Sequence, residues 1–324
     1  MMKRTIEKTA AFLLVGCLLL SLLEALFVEK SSYGKNRGWK AAKDVDILIL
    51  GNSHADGGLR AEDISNGLCA GGGDISAFNY GISSVRMEQM YFFAKEAFKT
   101  HVPDLVILET FTFCPLSDED REITNRRAFD ALPLSLNKMN AICYCVPEDR
   151  ASFIFPIIKY HTRWKELSPV DLRLLYDKNL WGGVTGGNGS TSENVCEDPG
   201  DNWFQQTPPE ELRKISPVEQ ECLDKFLAML AENGVSLLFV SVPFRTQKGL
   251  DSIEQIKINN YLRENYVNGD TIQLLDMNRM WQELDFDYSD LANEGHVNAA
   301  GADKVTECLA EYLRANYNLA ALAA

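Results

Sequence analysis

Two short polar segments, far apart in the chain, carry side chains that together could activate a nucleophile. Gly51-Asn52-Ser53-His54 directly follows an apolar run, and His296 lies in a polar loop ahead of a C-terminal helical pattern. A serine hydroxyl becomes an effective nucleophile when a nearby imidazole takes its proton. We therefore predict Ser53 as the nucleophile and His296 as its general base. His54 is a poorer base for Ser53, because neighbouring side chains on a strand-to-helix turn usually diverge.

This chemistry needs two further kinds of group. The imidazole works best when a carboxylate or an amide fixes its tautomer, and Asp287, Asp290 and Asn293 all precede His296 closely. The residues by themselves leave the choice among these three open. The oxyanion formed during acyl transfer needs N–H donors. Gly81, which ends the segment "FNYG", can bring its backbone N–H close because it has no side chain.

An alternation of short apolar runs and helical stretches from residue 45 onward predicts the scaffold. Strands separated by helices favour a mostly parallel sheet, and continuous apolar runs are typical of strands buried on both faces. The predicted strands are 46–50, 77–80, 104–109, 235–242 and 271–275, and the predicted helices are 87–99, 217–233, 252–265 and 302–316. Ligand sites in such sheets gather at the carboxyl ends of the strands, the edge at which Ser53 emerges.

The section from about 114 to 215 interrupts this alternation, and we interpret it as an insertion in a single domain at 45–320. Its glycine-rich loop at 181–194 lacks the Lys-Ser/Thr pair of a phosphate-binding loop and does not open a helix. His161, Arg163 and Trp164 could line a substrate cleft. The pattern "YHTRWKEL" instead favours an amphipathic helix with Trp164 packed on the core.

The amino terminus has the pattern of a membrane anchor. Residues 1–8 are basic and form a predicted cytoplasmic tail, and residues 9–28 are mainly apolar. About 20 such residues span a bilayer as a helix, and the run lacks the short core and small-residue cleavage site of a signal peptide. Glu24 lies near one end, from which it could reach the interface. We predict an uncleaved anchor followed by a linker at 29–44, although basic residues on both sides leave its orientation open.

Composition excludes some classes of function. The net charge of −14 argues against nucleic acid as a partner, because that binding requires lysine and arginine to neutralise phosphates. Eight cysteines without paired CxxC spacing are typical of buried thiols, with one or two bridges at most. We predict no metal site and no cofactor.

Three segments resemble the sequence blocks of a known family. "ILILGNSHA", "FNYGISS" and "DLANEGHVNAAGADKVT" look like the first, second and last blocks of the SGNH/GDSL hydrolase superfamily, and the likeness extends over most of residues 45–317. "RRAFDALPLSLNKM" and "FIFPIIKYHTRWKEL" further resemble a membrane-anchored bacterial branch, related in pattern to proteins that O-acetylate alginate and D-alanylate teichoic acids. The resemblance implies an α/β three-layer sandwich of the SGNH/flavodoxin-like kind, located outside the cytoplasm.

The resemblance assigns roles to individual residues. Ser53 matches the nucleophile, His296 the base and Gly81 the glycine whose N–H serves the oxyanion hole. The acidic partner of this family usually stands three residues before the histidine, where this chain has Asn293. We expect Asp290 to supply the carboxylate, with Asn293 orienting the ring as the alternative and Asp287 as a further candidate.

A second departure concerns the oxyanion hole. Glu109 lies within the segment "VILETF", at the position where hydrolytic members carry an asparagine. A carboxylate there would repel an oxyanion unless it is protonated or turned away. We therefore expect Asn52 to act as a donor, with His54 and Arg245 as further candidates.

These residues imply two functions of different classes. The first is a membrane-anchored serine esterase or O-acyltransferase that acts on a cell-envelope glycan, a glycopolymer or an acylated small molecule. The second is a weakly catalytic or non-catalytic accessory protein that binds a glycopolymer or a membrane acyltransferase partner. Ser53 and His296 favour the enzyme, whereas Glu109 and the displaced aspartate favour the accessory protein.

Overall fold

The structure, a computed structural model, describes residues 2–28, 32–69, 75–113, 121–181, 190–197, 209–245 and 251–318. Most of the glycine-rich loop predicted at 181–194 lies outside the described residues. Each of the cysteines within the described residues is a free thiol.

A parallel sheet of five strands forms the centre of the fold. The strands are β1 Ile47–Leu50, β2 Ala77–Asn79, β3 Leu105–Glu109, β4 Ser236–Ser241 and β5 Ile272–Asp276. Their order is β2-β1-β3-β4-β5, and all neighbours pair in parallel. The prediction of a mostly parallel sheet from these five segments is confirmed. All carboxyl ends meet at one edge, and the strand order reverses between β1 and β3, which is where open α/β sheets bind ligands.

Both faces of the sheet are buried, which explains the continuous apolar runs. Successive strand residues point to opposite faces, so that Leu48 and Leu50 belong to one apolar cluster whereas Ile47 and Ile49 belong to another. Every residue of β1 is fully buried. A strand with two apolar faces has no solvent side, and its sequence therefore shows no polar alternation.

Helices surround the sheet and precede it. In chain order they are α1 Met2–Phe27, α2 Tyr33–Ala41, α3 Ser53–Gly58, α4 Ala61–Cys69, α5 Met87–Ala97, α6 Arg121–Phe129, α7 Leu136–Cys145, α8 Arg150–Ile154, α9 Ile157–Tyr160, α10 Pro169–Arg173, α11 Pro217–Glu232, α12 Asp251–Asn265 and α13 Ala299–Asn316. The four helices predicted around the sheet are confirmed as α5, α11, α12 and α13. Ser216 and Glu219 start α11 by accepting each other's backbone N–H, the reciprocal capping that this spacing permits.

A two-stranded antiparallel hairpin lies between β5 and α13 and was not predicted. Its strands are β6 Leu291–Asn293 and β7 His296–Val297. The register pairs Asn293 with His296. This hairpin carries the predicted general base.

The predicted insertion contains short helices, and the expectation for Trp164 is wrong. Trp164 is 61% exposed, because 157–173 forms two short helices with a 3₁₀ turn between them rather than one amphipathic helix. Arg163 reaches the end of α1 instead, where its guanidinium donates to the carbonyls of Phe27 and Val28 at 2.9 and 2.7 Å. The ring Nδ1 of His161 lies 2.9 Å from the Ile158 carbonyl oxygen on the surface.

The amino-terminal region consists of two helices with different surroundings. The first, α1, is long and apolar enough to cross a membrane, and its apolar stretch is exposed. The second, α2, occupies most of the predicted linker, and the expectation of a linker there is wrong. Trp39 of α2 is only 2% exposed and belongs to a core cluster of the sheet. The domain therefore begins at α2, before the first strand.

Candidate active site

The chain turns sharply where β1 ends, and this turn requires a glycine. Gly51 has φ +153°, and a Cβ at this position would meet the Cβ atoms of Ala55 and Glu109 at 2.7 Å. Only glycine fits between the neighbouring strand and the following helix. The turn places Ser53 at the first position of α3, over the carboxyl edge of the sheet.

Asn52 starts this helix and is nearly buried. Its side-chain oxygen accepts the backbone N–H of His54 at 3.0 Å, the usual role of an N-cap residue. The side-chain NH₂ of Asn52 and the backbone N–H of Ser53 are then the donors next to the serine, because an amide at the first helical position has no carbonyl within its helix to bond.

The structure brings Ser53 and His296 together across 243 residues of chain. The Oγ of Ser53 lies 2.8 Å from the Nε2 of His296. At this distance the two atoms form a hydrogen bond, short enough for a proton to pass from a nucleophile to a general base. Burial lowers the pKa of His296, so that the ring is neutral and able to accept a proton at neutral pH.

Asn293 holds the ring of His296 in the tautomer that a base requires. Its Oδ1 lies 3.1 Å from His296 Nδ1 and also accepts the backbone N–H groups of Gly295 and His296, each at 3.0 Å. The two N–H donors identify this atom as the amide oxygen, which can only accept hydrogen bonds. Nδ1 of the ring must therefore be the donor. The lone pair of Nε2 is therefore left for the Ser53 hydroxyl.

The expectation that Asp290 contacts His296 is wrong. Its carboxylate accepts the Asp287 N–H and the Lys304 ammonium, both at 2.9 Å. Asp287 itself caps the 3₁₀ turn by accepting the N–H of Ser289. The reason is register: Asn293 stands opposite His296 in the hairpin, whereas Asp290 precedes β6 and faces α13.

The expectation that Gly81 donates to an oxyanion is also wrong. Its N–H donates to the Oδ1 of Asn79 at 2.8 Å. The Nδ2 of Asn79 donates in turn to the carbonyls of Ala55 and Leu59, at 2.7 and 2.6 Å, so that this buried amide holds α3 in place. The glycine is required for another reason, since a Cβ at this position would lie 2.7 Å from the backbone nitrogen of Asp56.

His54 and Arg245 take part in packing and loop contacts. The ring of His54 stacks on Phe111 with centroids 3.9 Å apart, and lies 4.9 Å from the ring of His296. Burial and the neighbouring His296 hold the pKa of His54 well below its usual value, so that it forms a neutral wall of the site. Arg245 is ion-paired with Glu294, one residue after Asn293, and its backbone N–H donates to the Glu294 carbonyl at 2.9 Å.

Glu109 lies at the end of β3 with no exposed surface. One carboxyl oxygen accepts the N–H of Phe111 at 3.0 Å, and the other has no hydrogen-bond partner within the part of the chain that the structure describes. Burial raises the pKa of Glu109 to about 8. At neutral pH its carboxyl group is mainly protonated, which removes the charge that would repel an oxyanion.

Lys35 of α2 contacts α3, the helix that begins at Ser53, and this contact was not predicted. It is 8% exposed, and its ammonium bonds both the Asp56 carboxylate and the Gly81 carbonyl. Its position among basic residues after the anchor made it look like a flanking solvent charge. The detectable signal was Trp39 one helical turn later, which made a packed amphipathic helix the better interpretation of the predicted linker.

The pH dependence of turnover distinguishes Asn293 from Asp290. If His296 is the base, activity falls as the pH drops through its lowered pKa, so that the acidic limb lies below the usual pKa of about 6.5. Asn293→Asp places a negative charge beside the ring, which stabilises the imidazolium and is expected to move this limb upward by about one unit or more. The measurement is kcat/KM against pH for p-nitrophenyl acetate with the full-length protein. Asp290→Asn is the matched control and leaves the limb in place; a shift in that variant alone would contradict the assignment.

Comparison with known protein families and with characterised proteins gives no significant match to this chain.

Proposed function

We propose that this chain is a membrane-anchored serine esterase or O-acyltransferase of the SGNH/GDSL type, acting on a cell-envelope glycan or glycopolymer. The observation that carries the proposal is the aligned set Ser53, His296 and Asn293. The hydroxyl and Nε2 lie 2.8 Å apart, and Nδ1 and the amide oxygen 3.1 Å apart. Such a relay, on the carboxyl edge of a parallel sheet, is the arrangement that activates serine for acyl transfer.

The geometry supports a two-step reaction. Ser53 Oγ attacks the acyl carbonyl while its proton passes to His296 Nε2, and the oxyanion lies toward the Ser53 N–H and the Asn52 side-chain NH₂. The imidazolium then protonates the departing alcohol, which leaves an acyl ester on Ser53. Water or a sugar hydroxyl then attacks this ester while its proton passes to Nε2, and the imidazolium returns that proton to the departing Ser53 Oγ. Asn293 keeps the ring aligned in both steps.

The proposal includes location and architecture. In it, α1 spans the membrane with residues 1–8 in the cytoplasm, and the sheet with its helices forms an extracytoplasmic three-layer sandwich. Lys35 and Gly81 meet at the carboxyl edge of the sheet, so that α1 joins the domain at the edge that carries Ser53. A membrane-bound acyl donor or acyltransferase partner would therefore be on the same side as the nucleophile.

One observation favours the accessory protein as a second candidate. The Gly81 N–H that would serve an oxyanion is already bonded to Asn79 at 2.8 Å. With fewer oxyanion donors the serine would be slow, because one such donor contributes about 10²–10³-fold to kcat. The chain would then bind a glycopolymer or an acyltransferase without turning over an ester itself.

Covalent labelling tests the proposal. The full-length protein in detergent, treated with a fluorophosphonate, is expected to carry the adduct on the peptide that contains Ser53, and Ser53→Ala to carry none. Ser83→Ala is the matched control and labels as the wild type does. An unlabelled wild-type chain that still binds acetylated glycan would favour the accessory protein over the enzyme.

A further inference from the structure

Part of the insertion exposes large apolar side chains beside α1. Leu134, Phe155 and Ile158 are 65%, 51% and 51% exposed. All three line one groove, of about 810 Å³, whose other wall is α1. We call these three residues the apolar shoulder. Soluble monomers rarely expose large contiguous apolar patches, and those that exist often mark a contact with a partner or a membrane.

The shoulder lies beside the carboxyl-terminal half of the apolar run. The α1 wall of the groove includes Cys17, Leu20 and Glu24, and from Cys17 to Phe27 the helix rises about 15 Å. An apolar run of 20 residues matches the roughly 30 Å of bilayer hydrocarbon. If this run crosses the membrane, the residues opposite Cys17 to Glu24 cannot be in water, because they lie at the depth of one leaflet.

We propose that the apolar shoulder is immersed in the outer leaflet beside α1, so that the insertion is a membrane-embedded part of the domain. This inference rests on the proposed membrane span. The occupant of the shoulder is lipid acyl chain, which also fills the open groove.

The charges in the groove support this placement independently. Glu24 accepts a hydrogen bond from the Ile157 N–H and lies in the field of Lys138. Lys138 is 2% exposed and donates to the carbonyls of Asp130 and Leu132, at 3.2 and 3.1 Å. An ionisable residue within a span is costly unless it faces protein and has a partner. The insertion supplies that partner at the depth of Glu24.

The residues at the end of α1 have the character of a membrane interface. Arg163 bonds the last carbonyls of α1, and the adjacent Trp164 is 61% exposed, with the Lys165 ammonium 5.5 Å from its ring. Tryptophan and basic residues gather at the headgroup level of bilayers. The shoulder and Trp164 therefore occupy successive depths, hydrocarbon and interface.

Lipid-dependent fluorescence quenching tests the proposal. The full-length protein is placed in nanodiscs of plain phosphatidylcholine, or of phosphatidylcholine brominated either deep in the acyl chain or near the headgroup. Phe155→Trp and Ile158→Trp each add tryptophan fluorescence to the wild-type signal. This added fluorescence is expected to fall at least about twofold when the bromine lies deep in the acyl chain. Trp164→Phe removes an emission that shallow bromine quenches more strongly than deep bromine.

Val102→Trp provides the matched control. Val102 is 43% exposed and lies before β3, at the sheet edge opposite to the one that α1 joins, so that its added emission is unaffected by bromine. Equal emission of Phe155→Trp and Ile158→Trp in plain and brominated lipid would overturn the proposal. Alkaline carbonate extraction then separates two kinds of failure. If quenching is absent but the wild-type chain withstands extraction, only the proposal for the shoulder is overturned. If carbonate extracts the chain, the proposed membrane span is overturned as well. Labelling of Ser53 does not depend on either outcome.

Discussion

Ser53→Ala is expected to lower kcat for ester turnover by at least about 10³-fold, and His296→Ala to lower it by a similar factor. Without the hydroxyl no acyl-enzyme forms, and without the imidazole the hydroxyl keeps its proton. The measurement is steady-state hydrolysis of p-nitrophenyl acetate and of acetylated glycans by the full-length protein.

The double variant makes this prediction sharper. Residues that act as one unit lose their joint effect once either is removed, so that Ser53→Ala with His296→Ala should be about as slow as each single variant. If the fold-losses in kcat of the two single variants multiplied in the double variant, the two residues would contribute independently, which would contradict the relay. Ser83→Ala, a matched serine replacement after β2, should retain wild-type turnover.

Trp39→Ala is expected to lower the free energy of unfolding by about 3–5 kcal/mol. The indole packs against Phe78 and His101, with ring centroids 5.4 and 3.8 Å apart, and its N–H donates to the Ala97 carbonyl at 3.0 Å. The substitution leaves a cavity and removes one of the two hydrogen bonds that the Ala97 carbonyl accepts, while the one from the Thr100 N–H remains. Urea denaturation of the reconstituted full-length protein, followed by near-ultraviolet circular dichroism, measures the loss.

Trp164→Ala is the natural comparison, because it makes the same substitution at a tryptophan that differs from Trp39 in burial. Trp39 is 2% exposed and Trp164 is 61% exposed, so that the second substitution should change stability by no more than about 0.5 kcal/mol. Equal losses in the two variants would contradict the assignment of α2 to the core.

Helix α2 is joined both to α3 and to the core of the sheet. Lys35 bonds Asp56 in α3, the helix that begins at Ser53, while Trp39, one turn further on, anchors α2 to the sheet. Truncation after residue 40, a common way to remove a membrane anchor, would remove both contacts. Loss of activity in such a fragment would reflect an incomplete domain rather than a missing membrane.

Much of the scaffold could be predicted because the signals are local. Each strand is a continuous apolar run, and α11 begins at a capping pair and stops just before Gly234, features that depend on a few adjacent residues. The pairing of Ser53 with His296 was also predictable, since the two segments stood at a strand end and ahead of a helix, positions that converge at one edge of a parallel sheet.

By itself, then, the sequence determined the parallel sheet, the apolar amino-terminal helix, and the pairing of Ser53 with His296. The tertiary structure alone decided that Asn293 rather than Asp290 meets the ring, that the Gly81 N–H is occupied, and that Lys35 reaches Asp56. The physical reason is that these outcomes depend on hairpin register and on helix docking, where a displacement of one residue changes which atoms lie within 3 Å of each other. Hydrophobic patterning fixes which elements form, whereas hydrogen bonds between distant segments exist only after those elements have packed.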